Sequence, residues 1–170
     1  YPFASQEFHQ PLFIVSKVMP PTVFIFLGAF LAAVAVGLGA IGAHALKSQL
    51  SAEQLTTFHT AVQYQMYHAI GLVLVGLLSL HQRSRWFDLS GWSMLVGILL
   101  FSGLIYIWLA TGRRFFVYPV PVGGIASILG WLMLATGVLG SLHSTLHDAE
   151  SLASHFFTRF CQTFCLCQRW

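Results

Sequence analysis

The sequence predicts an all-α fold: an integral membrane four-helix bundle with an interfacial N-terminal arm and a C-terminal amphipathic helix. Three observations carry this. Hydrophobic residues make up 56% of the 170 and charged residues only 8%, against roughly 25% charged in soluble domains. Mean hydropathy is +0.74. Four windows lack Lys, Arg, Asp and Glu: Thr22 to Ala43, Ala61 to Leu80, Gly91 to Gly112, and Val117 to Leu142. Each has about the twenty residues that cross roughly 30 Å of hydrocarbon. Backbone groups in lipid must be satisfied internally, and continuous apolar runs rather than alternation exclude a β-barrel. The predicted organisation is therefore an arm over residues 1–21, a four-helix domain over 22–142 and an interfacial tail over 143–170.

The arm, YPFASQEFHQPLFIVSKV, is apolar in patches, interrupted by Pro2 and Pro11, and too short to span. It lacks the charged head and small-residue cleavage site of a signal peptide. It is expected to lie on the membrane or on a neighbouring subunit.

Span one follows Pro20 and Pro21, which suit a helix start because a first-turn N–H has no intrahelical use. Gly28, Ala32, Ala35, Gly39 and Gly42 recur at spacings of three and four, leaving one face nearly bare. Such faces let helix backbones approach closely, which drives packing where no hydrophobic effect acts between helices. Ser51 and Gln54 then fit a capping box. The helix beginning there is expected to run on into span two, because Leu55, Phe58, Val62 and Met66 hold an apolar stripe through its polar start.

Spans two and three are joined by HQRSRWFDLSGW, with Arg83 and Arg85 as anchors and Trp86 and Trp92 suited to headgroup level. In FSGLIYIWLATG, Ser102 and Tyr106 stand one helical turn apart and should each find a partner in the bundle. Span four opens at YPVPVGG, with Pro119 and Pro121 at its start, and carries a second small face of Gly123, Ser127, Gly130, Gly137 and Ser141. Steric need alone makes spans one and four the expected close-packed pair. Beyond Leu142, the four-residue repeat of Leu152, Phe156, Phe160 and Phe164 reads as an amphipathic surface helix.

Four spans put both termini on one side, with Lys17, Arg83, Arg85, Arg159 and Arg169 there and Lys47, Arg113 and Arg114 opposite. This bias favours cytoplasmic termini in a bacterial inner membrane, or matrix termini in the alternative of a mitochondrial inner membrane. The net charge of +3 sits beside the spans as orientation marks, so nucleic acid is not an expected partner.

The stretches GAIGAHAL, TAVQYQMYHAIGL, FSGLIYIWLATG and PVGGIASILGW resemble the domain-of-unknown-function family 423 in order and spacing, over about Val23 to Leu142. These are small bacterial inner-membrane proteins, distantly similar to the mitochondrial transmembrane protein 256. Leu104 after FSG, and Ile41 where an aromatic is usual, are mild departures from the pattern. The resemblance implies four transmembrane helices and brings no established activity. It says nothing of the terminal extensions.

Polar residues gather in one place, GLGAIGAHALKSQLSAEQLTTFHTAVQYQMYHAI, which supplies His44, Lys47, Tyr64, Gln65 and His68. Polar groups inside a span are site candidates by default. His44 and His68 are the best ligand pair, since neutral imidazole binds haem iron or the magnesium of a chlorin. The simpler reading is an intramembrane hydrogen-bonding pair with Tyr64, Gln65 or Lys47 as partners. His143 and His147 stand at i and i+4, a metal-chelating spacing, near His81 and Asp148, but headgroup-level histidines rarely form sites and no metal is expected. Cys161, Cys165 and Cys167 make neither a disulfide framework nor a four-ligand site.

No Ser-His-Asp spacing, glycine-rich phosphate loop or paired intramembrane carboxylate appears, so an enzyme is not expected. Without acidic or basic groups in the spans, transport of charged solutes is disfavoured. Three functions remain in view. The first is a non-catalytic accessory or structural subunit of a larger membrane protein complex, packing through its small-residue faces and terminal arms. The second is a cofactor- or lipid-binding protein using His44 and His68, and the third a small transporter of neutral solutes. Expected partners are the lipid bilayer, bound lipids and other integral membrane subunits.

Overall fold

The structure, a computed structural model, describes residues 20–167. From Asp148 onward it describes the helical backbone, with the side chains of Glu150 and Leu152. Residues 1–19 of the N-terminal arm, Arg169, and the side chains of Arg159, of the cysteines and of Phe156, Phe160 and Phe164 lie outside the described residues.

Helix α1 covers Pro21–His44, beginning at Pro20 as N-cap with Pro21 in the first turn. A 3-10 turn at Leu46–Ser48 leads to α2, Ala52–His81. The capping box is formed: Ser51 Oγ accepts from the Gln54 amide at 3.2 Å, and Gln54 Oε1 accepts from the Ser51 amide at 3.0 Å. Helix α2 then runs unbroken through its polar start into the apolar part. Span three comprises α3 (Arg85–Ile98), a π-helical turn at Leu99–Gly103 and α4 (Leu104–Thr111). Gly112 closes α4 in the left-handed conformation (φ 69°), its amide donating to the Trp108 carbonyl at 2.8 Å, the usual glycine stop. Arg113 and Arg114 follow. After a 3-10 turn at Arg114–Val117, α5 covers Val120–Cys167. Four helical segments are long and apolar enough to cross a membrane: Pro21–His44, Ala52–His81, Arg85–Thr111 and Arg114–His147.

The bundle consists of two antiparallel pairs, α1 with α2 and span three with α5, joined by packing of α2 on α3. Where they meet, Phe24, Leu72, Val75, Phe87, Met94, Ile98 and Leu134 form the buried core. The expected pairing of spans one and four is thus corrected: each small-residue face is taken up by the neighbour in sequence. A Cβ on Gly28 would fall 2.6 Å from the Ala69 carbonyl oxygen of α2, and one on Gly42 would fall 2.7 Å from the Phe58 ring. On α5, a Cβ on Gly123 would lie 2.5 Å from the Phe101 amide nitrogen, one on Gly130 2.7 Å from Met94, and one on Gly137 2.6 Å from the Phe87 ring. Ala35 and Ser127 are buried, Ala32 and Gly39 half-buried.

The partner helices supply small residues of their own. Gly76 of α2 lies against Pro21 and Ile25 of α1, and Gly97 of α3 against Ser127 of α5, whereas Gly71 and Gly91 make room for Met94 and Phe24 between the pairs. Short loops make antiparallel neighbours of consecutive helices, and small residues on both members let the backbones close up. Span one therefore has no need of span four.

The helix expected beyond Leu142 is present and is continuous with span four. Helix α5 stays helical past Leu142 to Cys167, because no Gly or Pro follows Gly140 before that point to stop a helix. At 1.5 Å per residue, the part beyond Leu142 extends about 37 Å.

Candidate functional site

Gln65 is the hub of the intramembrane polar groups. It is 3% exposed and bridges three helices. Its Nε2 donates to the Leu31 carbonyl of α1 at 2.9 Å, and its Oε1 accepts from the Tyr106 hydroxyl of α4 at 3.0 Å. A carbonyl can only accept, so the Leu31 contact fixes the orientation of the amide and leaves the oxygen for Tyr106. One turn before Tyr106, Ser102 donates to the Ala61 carbonyl at 2.7 Å. The expectation that Ser102 and Tyr106 each find a partner is met on one helix, α2.

The π-helical turn at Leu99–Gly103 sits here and carries Ser102 as its fourth residue. The extra residue of a π-turn shifts the register of the following turns. Hydropathy is uninterrupted through LLFSG, so nothing in the sequence pattern marks the turn.

Two serines passed over in the sequence reading tie span three to α5. Ser90 donates to the Gly130 carbonyl and Ser93 to the Ala126 carbonyl, both at 2.7 Å. The signal was available: Ser90, Ser93 and Gly97 repeat at spacings of three and four, as the small residues of span one do.

The five residues of the sequence-predicted cluster divide into two groups. His44 and Lys47 are exposed at the α1 end of the bundle, whereas Gln65 and His68 are buried within it. Gly42 faces Phe58 and Gly28 faces Ala69, so His44 and His68 stand about 20 Å apart along the bundle at 1.5 Å per residue. The structure does not bring them together as a ligand pair. His68 pairs instead within its own helix, its Nδ1 lying 2.6 Å from the Tyr64 carbonyl. That carbonyl only accepts, so Nδ1 carries the proton and Nε2 presents its lone pair.

His68 lines an open groove of about 660 Å³ on the outer surface of the bundle. The groove lies between α2 and α5 over the π-turn, where these two helices make little direct contact. Its walls are Tyr64, Tyr67 and Ile70 from α2, Phe101 from the π-turn, and Gly124, Ser127, Ile128 and Trp131 from α5. The aromatic rings form a continuous series. Tyr64 is 4.9 Å from Phe101 and 6.2 Å from His68, and His68 is 6.3 Å from Trp131, by ring centroids.

At the opposite end, Gln82 of the α2–α3 connection donates to Ser144 of α5 at 3.1 Å. His81, His143 and His147 are exposed there. Among the described residues no three His, Cys, Asp or Glu side chains gather into a set that could hold a metal ion.

Comparison with known proteins finds relatives named as membrane proteins. A family described as "Protein of unknown function (DUF423)" matches residues 38–124, from the end of span one to the start of span four. A UPF0382 membrane protein of Staphylococcus saprophyticus is 45% identical over 115 residues, which cover 95% of it and 68% of this chain. The UPF0382 membrane protein YwdK of Bacillus subtilis is 42% identical over 118 residues, covering 96% of it and 69% of this chain. No solved structure matches. The matched region contains the capping box, the Gln65 hub, the π-turn and His68, and on this footing the chain belongs to the DUF423 family of bacterial membrane proteins.

Proposed function

We propose that this protein is a non-catalytic accessory subunit of a larger membrane assembly, a four-helix body that holds its place in the bilayer and docks through its extensions. The observation that carries this reading is α5, which continues as helix about 37 Å past the last residue of span four. The neighbouring helices end at His81 and begin at Arg85 on that side, so the projecting length has no counterpart in the body. About a third of the chain also lies outside the matched length of its relatives.

Five polar side chains inside the spans are spent on helix-to-helix bonds. Gln65, Ser90, Ser93, Ser102 and Tyr106 each bond a different helix, an arrangement suited to rigidity rather than to turnover. In this reading the body resides in an inner membrane with its termini on the cytoplasmic or matrix side.

Extraction of native membranes in a mild detergent, followed by size separation, tests the proposal. The chain is expected to migrate in stoichiometric association with other membrane subunits, and removal of residues 143–170 should release it. A monodisperse protein that travels alone at every detergent concentration contradicts the proposal.

A further inference from the structure

We propose that the groove between α2 and α5 is a binding site for a quinol, a neutral hydroxyl-bearing ring lipid that enters from the bilayer, with His68 Nε2 as acceptor for the ring hydroxyl. The proposal starts from the state of two buried polar side chains. His68 and Ser127 are each 5% exposed. The Nδ1 proton of His68 is committed to the Tyr64 carbonyl, which leaves Nε2 as a lone-pair acceptor without a protein donor among the described residues. The Ser127 hydroxyl likewise takes part in no hydrogen bond among them.

Every fully buried side-chain nitrogen and oxygen among the described residues does have a partner. The two unpartnered atoms therefore keep some accessible surface, and both residues line this groove from opposite walls. A ligand hydroxyl donating to His68 Nε2 would satisfy it at a depth where water is scarce, while the Ser127 hydroxyl lies at the groove's α5 wall against Gly97 of α3.

The lining decides which amphiphile fits. It carries no Lys, Arg, Asp or Glu, so a phosphate headgroup would find no counter-charge. Its walls are aromatic, with Tyr64, Tyr67, Phe101 and Trp131 around His68, which suits a flat ring by stacked or edge contact. The volume of about 660 Å³ lies within the range of small-molecule sites. Tyr64, Tyr67, Ile70 and Ile128 are exposed within apolar spans, so the groove opens towards lipid. A ring head would seat against His68 while its tail remained in the bilayer. His44, about 20 Å away along the bundle, takes no part.

The test uses the full chain in lipid nanodiscs, titrated under reducing conditions with a ubiquinol bearing a decyl tail, with empty nanodiscs as the partition baseline. Tryptophan quenching is the readout, and Trp131→Phe identifies the part of the signal that arises at the groove. Saturable quenching is expected, and the di-O-methyl ether of the same quinol should bind about ten-fold more weakly, as loss of one buried hydrogen bond implies. In His68→Leu, quinol and ether should bind alike. Equal binding of quinol and ether to the unaltered protein would overturn the proposal. That comparison needs no variant and stands even if His68→Leu fails to fold. Equal displacement by a long-chain alcohol would overturn the choice of a ring lipid.

Discussion

Substituting Gln65 and Tyr106 singly and together measures how tightly the polar hub holds the bundle. Gln65→Leu removes the bonds to the Leu31 carbonyl and to the Tyr106 hydroxyl. Interhelical hydrogen bonds in bilayers average about 0.6 kcal/mol and reach about 1.7 kcal/mol, so two of them account for about 1 to 3 kcal/mol. The stranded Tyr106 hydroxyl adds about 1 kcal/mol more. Tyr106→Phe removes a single bond and should cost about 1 kcal/mol. In the double variant the shared bond is lost only once and neither partner is left stranded. Its cost should fall about 1 kcal/mol or more below the sum of the singles, as contacting residues usually do. Unfolding in mixed micelles of rising SDS content, followed by circular dichroism, reads all three costs. Additivity within about 0.5 kcal/mol would refute the bond between Gln65 and Tyr106.

The close helix contacts and the cap give further outcomes for the same unfolding assay. Gly28→Ala puts a Cβ 2.6 Å from the Ala69 carbonyl oxygen; backbone cannot yield cheaply, and a loss of about 1 to 3 kcal/mol is expected. Gly39→Ala belongs to the same small-residue stripe but meets only Val62 at 3.7 Å, so it should stay within about 0.5 kcal/mol of the unaltered protein. If the two variants behave alike, the α1–α2 packing is wrong. Ser102→Ala removes the bond from the π-turn to the Ala61 carbonyl and should cost about 1 kcal/mol. Ser51→Ala opens the capping box at about 1 kcal/mol, and hydrogen exchange should show the Gln54 amide exchanging faster while core amides are unchanged.

Length, composition and local chemistry made the spans legible. Charge-free windows locate all four, the Ser51–Gln54 pair sets the start of α2, and Gly112 followed by two arginines ends α4. What the sequence did not disclose is which faces meet. Small-residue stripes occur on all four spans, and comparing those of spans one and four alone produced the wrong pair. Chain connectivity, with short loops favouring sequential antiparallel neighbours, was the stronger constraint.

The polar cluster was half legible for a similar reason. The segment was recognised and Gln65 was among its members. His44 and His68 seemed close because both lie near one loop in sequence. In the fold, ten helical positions from Phe58 to His68 carry the second histidine about 15 Å along α2. The groove needed a contact that no periodicity encodes, the gap between α2 and α5 above a π-turn hidden in an uninterrupted apolar run. The helix of the tail was legible from its four-residue repeat, and its continuity with span four follows from the lack of any helix-stopping residue near Leu142.

The claim that this four-helix body is a subunit of something larger is tested most directly by the mass of the particle that leaves the native membrane with it. Native mass spectrometry of the mildly extracted protein should give a discrete assembly, several-fold heavier than the 18.8 kDa chain, with a fixed copy number of this subunit. A single species at the mass of the chain plus bound lipid would contradict the account.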